Sequence, residues 1–238
     1  MNKIYKKNIL IVGAGSGLGE ELLSQINDCK IVSTYNKSKP NYKSNYLIKL
    51  DLENESSLLN FCSYLKKLNI IFDIIYFVGA HTPHYESDIK NSTFSGSFSR
   101  SVFQKFLNIN CFSPIYIFQQ IYQNKLISKY AKVLFFSSLA GSINNRGKLK
   151  HNIKGGNQIY RISKSALNSG VKNIAYDLED TDIKIVCLHP GWVKTNSGGI
   201  NADVEIEGAV KSILEFTKKI NRSHHGGFYY ADGNNIQW

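Results

Sequence analysis

The chain has 238 residues, a hydrophobic fraction of 42% and a formal net charge of +11. This length fits one α/β domain with a sizeable core, and residues 1–238 are predicted to form a single domain. No apolar run approaches the roughly 18 residues of a membrane-spanning helix. The lysines are scattered and arginine is rare, so no basic stripe indicates nucleic acid as a partner. The four cysteines form no C-x-x-C pair, which is typical of reduced residues in a cytoplasmic protein.

Strand-like and helix-like segments alternate along the chain. Apolar runs predict buried strands at 7–13, 29–35, 46–52, 72–80, 131–138, 182–191 and 226–232. Helical spacing predicts helices at 18–27, 55–68, about 98–125, about 158–180 and 205–220. Such alternation gives a doubly wound parallel sheet of about seven strands with helices on both faces. The carboxyl ends of its strands are expected to face a ligand crevice.

The first predicted strand runs directly into a glycine-rich turn, VGAGSGLGE, at 12–20. Its spacing, G-x-x-x-G-x-G, lets the backbone turn tightly and approach a pyrophosphate. The helix that follows offers N–H groups and the positive end of its dipole. This context predicts dinucleotide binding, and a turn that needs glycine only for packing is the alternative. The residues assigned to the cofactor here are Gly13, Gly15, Ser16, Gly17, Leu18 and Gly19.

The end of the second strand bears on which dinucleotide is bound. NAD-binding folds place an acid there, whereas STYNKSKPN at 33–41 has none. Asn36 and Lys37 are therefore expected to hold a 2′-phosphate, which favours NADP(H), with NAD(H) as the alternative. Asp51, at the end of the third strand, either reaches the adenine amino group or caps the next helix. Leu52 beside it is also assigned to the cofactor site.

Two Tyr-x-x-x-Lys pairs occur, and their surroundings distinguish them. Tyr35 and Lys39 lie at a strand end just before a proline, so no helix aligns them. Tyr160 and Lys164 lie on a predicted helix, where positions i and i+4 share a face. The fifth strand brings Ser138 to the same edge of the sheet. The second pair is therefore the candidate for proton transfer.

In this order, the motifs resemble the short-chain dehydrogenase/reductase family over essentially the whole chain. The matching elements are the glycine motif, Asp51, Asn110, SSLAG at 137–141, the Tyr160–Lys164 pair and HPGWVKT at 189–195. YRISKSALN and the final GGFYYADGNNIQW are most similar to the C-factor and Sniffer-like carbonyl reductase subgroup. The resemblance implies a single-domain Rossmann fold.

The resemblance also implies roles for the matching residues. Tyr160 would be the general acid or base, with its pKa lowered by Lys164, which would also bond the nicotinamide ribose. Ser138 would donate a hydrogen bond to the substrate oxygen, and Asn110 would hold a water that links Lys164 to solvent. Ser138 and Asn110 each also have an ordinary structural interpretation. The remaining residues assigned to the cofactor are Gly79, Pro190, Gly191, Val193 and Thr195.

The chain departs from the family pattern at several places. Val12 stands where the family usually has threonine, and FVGA at 77–80 keeps Gly79 but lacks the family's asparagines. The segment between Ser138 and Tyr160 is longer than usual and contains a basic insertion at 144–156. The insertion either attracts an anionic substrate or is a mobile surface loop. Its basic residues are Arg146, Lys148, Lys150 and Lys154.

Three residues near the predicted crevice have alternatives that the sequence leaves open. His81 and His84 follow the fourth strand, and with no third ligand evident a lining or surface role is preferred over a metal site. No metal is expected. Trp192 either covers the nicotinamide and shapes the pocket or belongs to the core.

These features predict an oxidoreductase that transfers a hydride between NADP(H) and a small carbonyl or alcohol substrate. A sugar-nucleotide epimerase or dehydratase would need a further substrate domain. A nucleotide-sensing or signalling protein on the same fold is the non-catalytic alternative. The resemblance also implies a homodimer or homotetramer formed through the helices at about 98–125 and 158–180.

Overall fold

The computed structural model describes residues 7–82, 94, 96–148 and 157–238. Seven strands are present in this part of the chain: β1 Asn8–Val12, β2 Lys30–Tyr35, β3 Tyr46–Lys49, β4 Phe72–Phe77, β5 Ile127–Phe136, β6 Lys184–His189 and β7 Gly227–Tyr230. The α-helices are α1 Gly17–Gln25, α2 Glu55–Leu68, α3 Arg100–Leu107, α4 Ser113–Gln123, α5 Gln158–Asp177 and α6 Ile206–Lys219.

The strands form one sheet in the order β3-β2-β1-β4-β5-β6-β7, and all neighbouring pairs are parallel. The chain runs outward from β1 to β3 and then crosses back to β4, beside β1. Connections leave the two inner strands in opposite directions, which opens a crevice at their carboxyl ends. The predicted doubly wound fold is therefore confirmed.

Two apolar layers sandwich the sheet. Helices α2, α4 and α5 cover one face, where Phe61, Phe118 and Leu167 meet strand residues such as Leu10 and Val133. Helices α1 and α6 cover the other face through a separate cluster of buried residues. Strand side chains alternate between the two clusters, and both are apolar, as expected for a parallel sheet buried on both sides. In the part of the chain described, no helix has both the length and the apolar character to cross a bilayer.

The long helix predicted at about 98–125 is interrupted by a π-helical turn, Asn108–Phe112. The N–H of Ser113 bonds to the carbonyl of Asn108, five residues back. Pro114, which follows, has no N–H to donate and would clash with a carbonyl four residues earlier in a regular helix. The wider turn accommodates this proline at the start of α4.

Strand β5 begins earlier and ends earlier than predicted. It covers Ile127–Phe136, so Ser137 and Ser138 follow the strand instead of ending it. The backbone then turns through the short 3₁₀ segment Leu139–Gly141, and the hydroxyl of Ser138 accepts the Ala140 N–H. Ser138 is thereby placed at the carboxyl edge of the sheet.

Candidate active site

A cavity of about 1120 Å³ lies along the carboxyl ends of the strands. Loops after β1 to β6 and the first turns of α5 line it. Asn110 and Gly19 are the predicted site residues that do not line this cavity. The other predicted residues line it: Ser138, Tyr160, Lys164, Gly13, Gly15, Ser16, Gly17, Leu18, Asn36, Lys37, Asp51, Leu52, Gly79, Pro190, Gly191, Val193 and Thr195.

The turn after β1 forms a cradle of exposed backbone at one end of the cavity. Gly13 has φ +96°, and a Cβ there would lie 2.5 Å from the backbone of Gly79. A Cβ on Gly19 would lie 2.0 Å from the Gly13 carbonyl oxygen. The Gly13 N–H donates to Thr34 Oγ1 at 2.9 Å, which holds the turn against β2. A side chain at either glycine would collide with neighbouring backbone, so these two glycines allow the turn after β1 to pack against Gly79 and against the first turn of α1.

The ends of β2 and β3 form the neighbouring wall. Asn36 and Lys37 are exposed and line the cavity, and Lys39 Nζ lies 5.8 Å from the ring centroid of Tyr35. Asp51 does not cap α2, because Asn54 accepts the Ser57 N–H at 2.8 Å and is the N-cap. The Asp51 carboxylate instead accepts the Glu53 N–H at 3.0 Å and lines the cavity.

At the other end, Tyr160 and Ser138 both line the cavity, and the Ser138 hydroxyl lies near enough to the phenol to lower its pKa. Ser138 Oγ also accepts the Ala140 N–H at 3.1 Å, which fixes its direction. The Tyr160 ring meets Phe106 edge-on, with centroids 6.4 Å apart. Lys164 Nζ lies 6.0 Å from the centroid of the Tyr160 ring and donates to the Phe136 carbonyl at 2.8 Å. The phenol, the hydroxyl and the amine are therefore gathered at one place.

Burial controls the ionisation of this group. It raises the pKa of the Tyr160 phenol, while the nearby Ser138 hydroxyl and the positive charge of Arg161 act in the opposite direction. Burial lowers the pKa of Lys164 to about 8, and this side chain is only 2% exposed. The lowering of the Tyr160 pKa that the resemblance implies depends on Lys164 together with the positive nicotinamide of the oxidised cofactor, and in the chain alone the pKa of Tyr160 is raised. The phenol is thus protonated at neutral pH.

Asn110 lies beneath the cavity and is 1% exposed. Its Oδ1 accepts the His81 N–H at 2.6 Å, and its Nδ2 donates to the His81 carbonyl at 2.9 Å and to Ser163 Oγ at 3.0 Å. Ser163 Oγ in turn donates to the Tyr160 carbonyl at 2.8 Å. Asn110 therefore ties the turn after β4 to the first turns of α5.

The two neighbouring serines have different surroundings. Ser137 is 5% exposed, and its Oγ donates to Asn168 Oδ1 at 2.5 Å. The Asn168 Nδ2 donates to the Gly141 carbonyl at 3.2 Å, which secures the turn below the cavity. Ser138 instead reaches Tyr160. Both serines line the cavity, but the Ser137 hydroxyl is held in a buried bond, whereas the Ser138 hydroxyl lies near Tyr160.

The segment after β6 closes the cavity beside Tyr160. Trp192 is 39% exposed, and its Nε1 donates to the Gly198 carbonyl at 2.7 Å. Thr195 Oγ1 accepts the Gly198 N–H at 3.0 Å. These bonds fold residues 192–198 into a compact wall. Trp192 belongs to that wall, and the alternative that it is a core residue is wrong.

Residues 142–148, which lead away from Ser138, are anchored to the end of the described chain. Ser142 Oγ donates to the Gln237 carbonyl at 2.5 Å, and the Asn144 N–H donates to the Trp238 carbonyl at 2.8 Å. The Trp238 ring stacks on Phe228 of β7, with centroids 5.5 Å apart. This segment carries Arg146 and Lys148 of the basic insertion. His84, Lys150 and Lys154 lie outside the described residues.

Sequence reasoning missed Arg161 and His189 among the side chains that line the cavity, whereas His81 lines it in agreement with the lining or surface role preferred from the sequence. Burial lowers the pKa of His189 to about 4, so its imidazole is neutral at pH 7. Its position directly before Pro190 was the available signal. Arg161 was visible only as the residue after Tyr160. Among the described residues, no three His, Cys, Asp or Glu side chains lie close enough to hold a metal ion.

Comparison with known proteins identifies the family. A family model described as Enoyl-(Acyl carrier protein) reductase matches residues 20–221. The chain belongs to the short-chain dehydrogenase/reductase family. The predicted family and the predicted class, an NAD(P)-dependent short-chain dehydrogenase/reductase, are therefore confirmed.

Among curated proteins, the uncharacterized oxidoreductase YKL071W of Saccharomyces cerevisiae is 25% identical over 98% of this chain and 98% of its own length. C-signal of Myxococcus xanthus is 37% identical over 39% of this chain and 55% of its own length. The first alignment spans nearly the whole chain, including the residues that line the cavity. The second alignment is shorter and has the higher sequence identity.

Two solved structures share the fold. Carbonyl reductase Sniffer of D. melanogaster superposes with a TM-score of 0.77 at 24% identity, covering 98% of this chain and 99% of that one. A short-chain dehydrogenase/reductase from Burkholderia multivorans with bound NADP gives a TM-score of 0.80 at 23% identity, again with 98% and 99% coverage. At these identities the likeness establishes the architecture.

Proposed function

We propose that the protein reduces small aldehydes or ketones with NADPH, or oxidises the corresponding alcohols with NADP⁺. One observation carries the proposal: the Tyr160 phenol and the Ser138 hydroxyl line one end of a cavity whose other end is lined by the glycine turn after β1. A proton donor and a glycine-lined site for a dinucleotide in one cavity are what hydride transfer to a carbonyl requires.

Each side chain at the reactive end has a separate role in the proposed reaction. Tyr160 donates its proton to the carbonyl oxygen, and its raised pKa keeps that proton in place at neutral pH. Ser138 donates a hydrogen bond to the same oxygen as negative charge develops. Lys164, beside the phenol, supplies positive charge that stabilises the phenolate left after transfer.

The residues of the other end fit a dinucleotide. Gly13, Gly15 and Gly17 line this end of the cavity without side chains, and the N–H groups at the start of α1 favour a pyrophosphate. When bound, NADP(H) supplies the hydride. Lys37 and Asn36, which line the cavity, would hold its 2′-phosphate, and Asp51 would reach its adenine amino group. The NADP bound by the Burkholderia multivorans protein of the same fold supports this choice.

The test is NADPH oxidation against a panel of aldehydes and ketones, with NADH in parallel and Tyr160→Phe as the control. The wild type should turn over with NADPH, and the Phe variant should lose about 10²-fold or more in kcat. If no carbonyl is reduced although NADPH binds, the non-catalytic sensor is the better description. Equal rates for the wild type and the Phe variant would contradict the role of Tyr160.

A further inference from the structure

Arg161 lies in the candidate active site, one residue after Tyr160. Arg161 is half-buried and lines the same cavity. Its backbone N–H donates to the Asn157 carbonyl at 3.0 Å, which holds it in the first turn of α5. Its charge reaches the phenol, since it lowers the pKa of Tyr160. Arg161 and Tyr160 therefore line the same cavity, in which the proposed function places the substrate carbonyl.

Charge is distributed unevenly along the cavity. Among the described residues, the acidic side chains that line it are Glu20 and Asp51, which lie with Lys37 at the cofactor end and are held by local bonds. Glu20 Oε1 accepts from the N–H and the Nδ2 of Asn41, at 2.7 and 2.9 Å, and Asp51 accepts the Glu53 N–H. The reactive end has Arg161 and Lys164. The field at the reactive end therefore favours a negatively charged group.

A second arginine adds to this field from outside the cavity. Arg146 is exposed, and its charge acts on the guanidinium of Arg161. Its turn is fixed by the bonds from Ser142 and Asn144 to Gln237 and Trp238. Two like charges that are held near each other repel. An anion bound between or beside them offsets the free-energy cost of that repulsion.

We infer that the substrate is a carbonyl compound bearing a carboxylate, with Arg161 as the residue that binds the carboxylate. This inference rests on the proposed function. A guanidinium offers a planar pair of N–H donors that matches the two oxygens of a carboxylate. Binding there sets the anionic group beside Tyr160 and fixes which end of the substrate faces the phenol. Arg146 attracts the anion to the cavity entrance.

Binding is tested without turnover. Benzoate and benzamide have nearly the same shape but differ in charge, and their affinities for the NADPH-loaded protein are measured by titration calorimetry. Benzoate should bind more tightly, and Arg161→Gln should weaken it about 10- to 100-fold, with Arg161→Lys in between. Arg100→Gln, which removes an exposed guanidinium outside the cavity, should change neither affinity. Equal affinities for the two compounds, or equal effects of the Arg161 and Arg100 variants, would overturn the inference.

Turnover separates this inference from the proposed function. 4-Carboxybenzaldehyde and its methyl ester are compared by kcat/KM with NADPH. The acid should be preferred, and the ratio of acid to ester should fall about tenfold or more in Arg161→Gln but stay unchanged in Arg100→Gln. Efficient reduction of both compounds with a ratio near one would retain the carbonyl reductase and reject the carboxylate site. Reduction of neither, with selective benzoate binding retained, would reject the reductase alone.

Discussion

Asn110 holds the backbone of His81 from both sides, accepting its N–H at 2.6 Å and donating to its carbonyl at 2.9 Å. The turn concerned is the one in which FVGA replaces the asparagines usual in this family. A buried amide reaching in from the π-helical turn therefore secures this loop. The altered sequence after β4 is compatible with an ordered cavity wall.

Removing this amide should destabilise the protein. Asn110→Ala leaves the His81 backbone and the Ser163 hydroxyl without their buried partner, which should cost about 2–3 kcal/mol of unfolding free energy. Urea unfolding measures the change. Asn173→Ala is the matched control, because Asn173 is an exposed helical asparagine that bonds only within its own turn, and it should stay within about 0.5 kcal/mol. Equal losses of unfolding free energy in both variants would contradict the role of Asn110 in holding the His81 backbone.

The adjacent serines should separate activity from stability. Ser138→Ala removes the hydrogen-bond donor in the cavity and should lower kcat/KM by about 10²-fold or more with little change in unfolding free energy. Ser137→Ala should cost about 1–2 kcal/mol of stability and leave kcat within a few-fold, because it breaks the buried bond to Asn168. Both variants are tested by carbonyl reduction and by urea unfolding. The reverse pattern would assign the catalytic role to Ser137 and the structural role to Ser138.

The buried Lys164 should make stability rise with pH. Its pKa is about 8 in the folded chain and near 10.5 when exposed, so the unfolded chain binds this proton more tightly. Between these values the unfolding free energy should gain up to about 1.4 kcal/mol per pH unit from this group. Below pH 8 the folded chain carries the full cost of the buried charge.

Lys164→Met should therefore lack this contribution. Unfolding free energies at pH 7.5, 8.5 and 9.5 would be compared for wild type, Lys164→Met and the exposed-helix control Lys211→Met. The unfolding free energies of the wild type and of Lys211→Met should rise equally with pH, and the unfolding free energy of Lys164→Met should rise less. Parallel curves for all three proteins would show that Lys164 is not buried as a cation.

Lys37 should set the choice of dinucleotide. Lys37→Ser removes the ammonium from the wall beside β2 and should lower kcat/KM for NADPH about tenfold or more while leaving NADH within about twofold. Lys43→Ser, an exposed lysine outside the cavity, should change neither. Saturation kinetics with both cofactors measure this, and an equal fall for NADPH and NADH would place the 2′-phosphate elsewhere.

Local sequence signals were enough for the architecture. The bounds of α2 match the prediction, since its apolar stripe and capping Asn54 are both local. The glycine turn could be placed because it directly follows an apolar run. The Tyr160–Lys164 pair could also be placed, because its alignment depends only on helical spacing. Strand ends were less accurate, because the serines after Phe136 are as compatible with a strand as with a turn.

Features that depend on distant partners were not predictable. The direction of the Tyr160 pKa shift follows from burial, which in turn requires Phe106 and the α5 surface to come together. The hydrogen bonds of Asn110 to His81 join segments on different elements. The place of Arg161 in the cavity follows from how α5 is rotated about its axis against the sheet, which apolar periodicity fixes only roughly.

The π-helical turn at 108–112 has a consequence for how the chain tolerates changes in length. The π-helical turn holds one residue more than a regular α-helical turn, so deleting one residue from it would give a continuous α-helix whose two halves keep nearly their present orientation. Ile117 and Phe118 would stay against the sheet, whereas residues within the turn would be repositioned and the bonds of Asn110 to His81 would be lost. A single lost codon here would therefore spare the core and loosen the wall of the reaction chamber.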